Sequence, residues 1–178
     1  MIAKKKILAI IGSTRANSSN LKLVAKIEAL SREIFDFTIF DEISSLPHFN
    51  PDLDNDHPPE SVVSFRKNIA EADGILICTP EYVFSLPGSL KNAIEWCVST
   101  TVLSQKPVGL ITASASGDKA SEELQLIMQT LETKFNEDTT LLIKGIKGKI
   151  NDQLEISDPE TLSNVMRFIA AFQDLLKQ

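Results

Sequence analysis

The chain is poor in glycine, tyrosine, tryptophan and cysteine: seven, one, one and two of them among 178 residues. So few glycines exclude collagen-like and Gly-rich low-complexity chains. The two glycine-dependent nucleotide loops are missing as well. Neither G-x-x-x-x-G-K-[ST] nor G-x-G-x-x-G follows the first apolar run, so neither a P-loop hydrolase nor a dinucleotide-binding Rossmann unit is supported. Two cysteines, Cys78 and Cys97, make no disulfide framework. No apolar stretch nears the roughly 20 residues that span a bilayer. Lys4, Lys5 and Lys6 precede an apolar run of only residues 7–11 before Gly12, too short for a secretory leader. Basic charge is in deficit: 18 Lys and Arg against 24 Asp and Glu leave a net charge of -6, opposite to the footprint of a general nucleic-acid binder. These absences predict a cytoplasmic protein with no membrane and no nucleic-acid partner.

What is present is an alternating pattern. The length and an apolar fraction of 43% suit a single domain over residues 1–178. Short apolar runs at 6–11, 35–40, 74–79, 107–113 and 139–143 read as strands, with 35–40 alternating as an edge strand does. Between them, helical spacing links Leu23, Val24, Ile27 and Leu30, then Val62, Phe65 and Ile69, then Leu90, Ala93, Ile94 and Cys97. Leu124, Ile127, Met128, Leu131 and Phe135 form the clearest stripe. Residues 144–157 carry no clear period. Asp158 and Pro159 then suit the N-cap and first position of a last helix carrying Leu162, Val165, Met166, Ile169 and Leu176. Five strands alternating with five helices predict an α/β fold, a parallel sheet covered on both faces. In such folds the ligand sits beyond the carboxyl ends of the strands, where strand order reverses. That selects residues 12–20, 79–89 and 113–118.

The first of these connections holds Ser13, Thr14, Arg15, Ser18, Ser19 and Asn20 ahead of a helix. A helix N-terminus has unpaired N–H groups and a partial positive charge, so with hydroxyls and a guanidinium it suits a phosphate. A polar capped turn is the plainer alternative. The lack of acidic residues after the first strand argues against a receiver domain. The second connection carries the only tyrosine, Tyr82, with Phe84, framed by Pro80 and Pro87. The loop between His48 and His57 is rich in aspartate but lacks the Gly and Glu spacing of an EF-hand, so it reads as solvated and no metal is expected. Cys78 and Cys97 fall on core positions and read as inert packing residues. Trp96 falls off its helix's apolar stripe, which suggests partial burial or contact with a second subunit.

Two strings carry a resemblance. Gly12-Ser13-x-Arg15-x-x-Ser18, and the longer Pro80-Glu81-Tyr82-x-x-Ser85-x-Pro87-Gly88-x-Leu90-Lys91-Asn92-Ala93-Ile94-Glu95-Trp96, resemble the NAD(P)H-dependent FMN reductase family of flavodoxin-like proteins. With Leu46-Pro47 and Ala72-Asp73-Gly74, the likeness covers about residues 4–135. It implies a flavodoxin-like three-layer α/β/α sandwich with a five-stranded parallel sheet in the order 2-1-3-4-5. It implies FMN as cofactor, with NADPH or NADH as co-substrate and a quinone, another flavin or a similar small molecule as electron acceptor. Carried over by position, Ser13, Arg15, Ser18, Ser19 and Asn20 would hold the FMN phosphate. Pro80, Glu81, Tyr82, Val83 and Phe84 would border the isoalloxazine ring, and Ser114, Ser116 and Gly117 would line its other side. The sequence departs from the family at Val83, where an Asn is usual. A homodimer or homotetramer is implied too. The ligand-facing loops hold no convincing nucleophile–base pair, so no catalytic side chain is expected and the flavin carries the chemistry. Two alternatives remain: a flavodoxin-type FMN electron carrier without NAD(P)H activity, and a non-enzymatic flavin-binding protein.

Overall fold

Each of the five apolar runs is a strand in the computed structural model, which describes residues 3–40 and 42–178. The strands are β1 (Lys5–Ile11), β2 (Phe35–Phe40), β3 (Gly74–Thr79), β4 (Val108–Ser114) and β5 (Thr140–Lys144). All pair in parallel, in the order β2-β1-β3-β4-β5, as the resemblance implies. β3 is buried throughout and β4 nearly so, because both lie inside the sheet with helices on each face. β2 and β5 lie at the edges and are only partly buried.

Side chains alternate across the sheet with the strand period of two. In β1, Ile7, Ala9 and Ile11 enter one core with Leu23, Val24 and Ile27 of α1 (Ser19–Ser31) and with Val165, Phe168 and Phe172 of α5 (Pro159–Leu175). Leu8 and Ile10 enter the other core. It is completed by α2 (Glu60–Glu71), α3 (Gly88–Glu95) and α4 (Asp118–Thr130).

Three details depart from the sequence reading. Trp96 is fully buried rather than partly exposed or held for a second subunit. Residues 46–50 fold over α3 and cover it: its indole N–H donates to Pro47 O at 2.7 Å and Phe49 meets the ring edge-on at 5.1 Å. Asn92, one turn earlier, donates to Pro47 O and accepts from the Phe49 N–H. The α4 stripe is shorter than predicted, since the helix ends at Thr130 and Phe135 packs against the core from the following loop. In α5, Phe168 and Phe172 are core residues, whereas Met166 lies exposed, one position off the buried face. The unassigned stretch after β5 forms a 3-10 turn at Ile146–Gly148 and a single bridge between Ile150 and Ile156.

Candidate functional site

Strand order reverses between β1 and β3, and the carboxyl ends of β1, β3, β4 and β5 surround an open cleft of about 370 Å³. Ser13, Arg15, Ser18, Ser19 and Asn20 line it from the first connection, Pro80, Glu81 and Tyr82 from the second, and Ala113, Ser114 and Ala115 from the end of β4. Gly12 lets β1 run close to β3 here: a Cβ on it would lie 2.4 Å from Thr79 Oγ1.

One end of the cleft is built on the N-terminus of α1. Ser18 is the N-cap, its Oγ accepting the Leu21 N–H at 3.1 Å, and the Lys22 N–H closes on Ser18 O. The amides of Ser19 and Asn20 remain as orphan donors of the helix, and no acidic residue in the first turn offsets the dipole. The Asn20 side chain is turned into the protein. Its amide donates to Ala113 O at 3.1 Å, and its Oδ1 lies 3.2 Å from the Cys78 thiol. Asn20 therefore fastens α1 to β3 and β4 and offers an anion its backbone N–H. Burial pushes the Cys78 thiol far up and the Cys97 thiol up to about 12, so both stay protonated and unreactive.

The second connection is fastened to α4. The Glu81 carboxylate accepts the N–H groups of Lys119 and Ala120 at 3.0 and 3.1 Å. It replaces the cap that Gly117, the N-cap residue, has no side chain to make. Glu123, which the sequence reading passed over, accepts from Ser85 Oγ at 2.7 Å and from the Leu86 N–H. Between these anchors, Tyr82 and Ser85 exchange two backbone hydrogen bonds of 3.0 and 3.1 Å around Val83 and Phe84. Both central residues are left-handed, with φ of 52° and 57°. This is the geometry of a tight primed hairpin turn, which favours Asn-Gly. Val83 is 95% exposed and Phe84 77%.

Four residues assigned by resemblance thus do not line the cleft. Val83 and Phe84 form the exposed tip of the turn. Ser116 donates to Asp118 at 2.9 Å, and Gly117 is held at φ 101° against Leu142 and Thr112. In exchange, Gly145, Ile146 and Lys147 enter the lining. No local period marks them, and only the parallel pairing of β5 with β4 brings them there. The arrangement offers orphan amides and a guanidinium at one end, and Pro80–Tyr82 facing the end of β4 at the other. That set fits a phosphate with a planar ring attached.

Residues 5–145 match the sequence pattern of the family described as NADPH-dependent FMN reductase. The chain belongs to the NADPH-dependent FMN reductase family. It is a flavin-dependent oxidoreductase with a flavodoxin-like fold, using FMN and NAD(P)H. This FMN reductase is 33% identical over 170 residues to a 2-hydroxy-1,4-benzoquinone reductase of Burkholderia sp, with 92% of each chain covered. It is 26% identical to a quinone reductase of Escherichia coli (strain K12), covering 100% of this chain and 98% of that one. Among solved structures it resembles FerB, a flavoenzyme NAD(P)H:(acceptor) oxidoreductase from Paracoccus denitrificans. The TM-score is 0.81 at 27% identity, with 97% of each chain covered.

Proposed function

We propose that this FMN reductase transfers reducing equivalents from NAD(P)H to a quinone or a comparable planar acceptor, with FMN seated in the cleft above β1, β3 and β4. The observation that carries the reading is the joining, in one cavity, of Arg15 and the acid-free N-terminus of α1 with the Pro80–Tyr82 segment. FMN, when bound, supplies the hydride and electron chemistry. The chain's own residues bind and orient. Arg15 and the amides of Ser19 and Asn20 hold the phosphate. Pro80, Glu81 and Tyr82 on one side and Ser114 on the other position the ring, their backbone kept rigid by the Glu81 and Glu123 anchors to α4. No side chain serves as acid or base, and alignment of donor and acceptor supplies much of the acceleration. The relatives named as benzoquinone and quinone reductases support the acceptor class.

We further infer one domain of residues 1–178, working in the cytoplasm as a homodimer or homotetramer. Two buried free thiols suit a reducing compartment, and among the described residues no helix is long and apolar enough to cross a membrane. Exposed Val98 and Leu126, with Ile94, Ile127 and Leu131 between α3 and α4, support self-association. The test is to purify the full chain, titrate it with FMN, and follow NADPH and NADH oxidation with and without a benzoquinone, with light scattering for the mass. Quinone-stimulated oxidation by a yellow protein is expected. A colourless protein that takes up no added FMN overturns the reading.

A further inference from the structure

Lys147 lines the cleft from a stretch that neither the motifs nor the family match supplies, two residues past the matched segment 5–145. Its place is fixed by the backbone around it. Gly145 adopts a left-handed φ of 68° and donates its N–H to Ser114 O at 2.8 Å. Ile146 is buried in the core shared with α1 and α5. Farther on, Asp152 pairs with Lys22 of α1 at 2.5 Å. The chain after β5 is therefore strapped along the same helix whose N-terminus carries Ser18 and Ser19.

Nearby ammonium groups are already engaged. Lys144 pairs with Asp118 at 2.7 Å, Lys149 with Asp158 at 3.4 Å, and Lys22 with Asp152. Lys147 is exposed and forms no ion pair among the described residues. It shares the cleft with Arg15, and the carboxylate of Glu81, the acidic residue of the lining, is bound to the amides of Lys119 and Ala120. A phosphate monoester carries about -1.5 to -2 charges at neutral pH. Arg15 supplies one positive charge and the helix end about half of another, which leaves up to about half a charge unmatched.

We propose that Lys147 is the second cation for the 5′-phosphate of FMN, a binding residue contributed by the turn after β5. This rests on the reading of the cleft as the FMN site. The test titrates the flavin-free full chain with FMN and with riboflavin, which lacks the phosphate, following flavin fluorescence in wild type, Lys147→Gln, Lys147→Arg and Arg15→Ala. For Lys147→Gln the expectation is an FMN affinity about tenfold weaker, the size of one charge-assisted contact. Riboflavin affinity should stay unchanged, FMN binding should depend less steeply on salt, and Lys147→Arg should keep the wild-type affinity. If Arg15→Ala weakens FMN binding and Lys147→Gln does not, the role of Lys147 is overturned while the site stands. An equal loss for FMN and riboflavin overturns it too, since the phosphate would not be the group sensed. A raised KM for NADPH relative to NADH with FMN affinity intact assigns the lysine to the dinucleotide and overturns it. If wild type binds no FMN, or neither variant changes its affinity, the cleft reading fails and the proposal falls with it.

Discussion

Arg66 illustrates how a single side chain can hold a long connection. Its Nη2 lies 2.6 Å from Asp54 Oδ1, its Nε donates to Trp96 O at 2.7 Å, and both side chains of the ion pair are largely buried. The pair joins the loop after β2 to α2 and to the end of α3. Burial alone would raise the Asp54 carboxyl, but hydrogen bonds from Arg66 and Ser99 and the charge of Arg66 outweigh it and hold the pKa below its ordinary 3.8. Asp54→Ala leaves Arg66 without its partner, and a loss of about 3 kcal/mol is expected in urea unfolding. The sign of the pH effect follows from the lowered value. The carboxylate's contribution is complete above the unfolded pKa and disappears as pH falls through the folded one. The gap between wild type and Asp54→Ala should therefore be constant from pH 5 to 7 and shrink below pH 3.8. A gap unchanged down to pH 3 would show that the charge is not what matters. Nothing in the sequence singles out this pair, because Asp54 sits in a loop with other aspartates and Arg66 is a charged residue beside the apolar stripe of its helix, where a solvated side chain is the ordinary expectation.

At the scale of the element, the turn at Val83 and Phe84 is the clearest conflict between sequence and conformation. A β-branched and an aromatic residue both occupy left-handed backbone, each costing on the order of 1–3 kcal/mol. The anchors of Glu81 and Glu123 to α4 over-determine the turn and keep it closed. The Asn usual in the family at position 83 thus has a backbone reason, since Asn tolerates this region far better than Val. The double substitution Val83→Asn with Phe84→Gly should raise stability by about 2 kcal/mol, read as a higher urea midpoint. A lower midpoint would mean that contacts of the two side chains outweigh the strain. Gly117 shows the opposite case, a residue already suited to its place. With φ at 101° and a Cβ position 2.8 Å from Leu142, Gly117→Ala should destabilise the chain by about 1–3 kcal/mol in the same assay.

At the scale of the whole molecule, the division of labour between scaffold and cofactor predicts an uneven alanine scan. Substitutions at Ser13, Arg15, Ser19 and Tyr82 should change FMN or acceptor affinity. None should leave FMN fully bound yet abolish NADPH oxidation, because no side chain is asked to move the transferred proton or hydride. One such variant, measured at saturating FMN, would sink the idea of a cleft without catalytic side chains. The architecture behind this was legible early. Alternating apolar runs and helical stripes implied the parallel sheet, and the reversal of strand order pointed to the connections after β1, β3 and β4. Arg15, Ser18 and Tyr82 were legible because their strings are local and dense in meaning. Trp96 was misread because its helix stripe says nothing of the loop at residues 46–50 that covers it.

The sequence by itself determined the strands, the helices, the family and the polar loop for which we propose phosphate binding, since each depends on periodicity or on residues adjacent in the chain. The tertiary structure alone decided which side chains face the cleft. It turned Glu81 toward α4 and Asn20 toward β4, put Val83 and Phe84 at an exposed tip, and brought Lys147 into the lining of the cleft that also holds Arg15. These outcomes depend on hydrogen bonds and packing between residues from about 30 to more than 90 positions apart, and such contacts leave no local pattern to read.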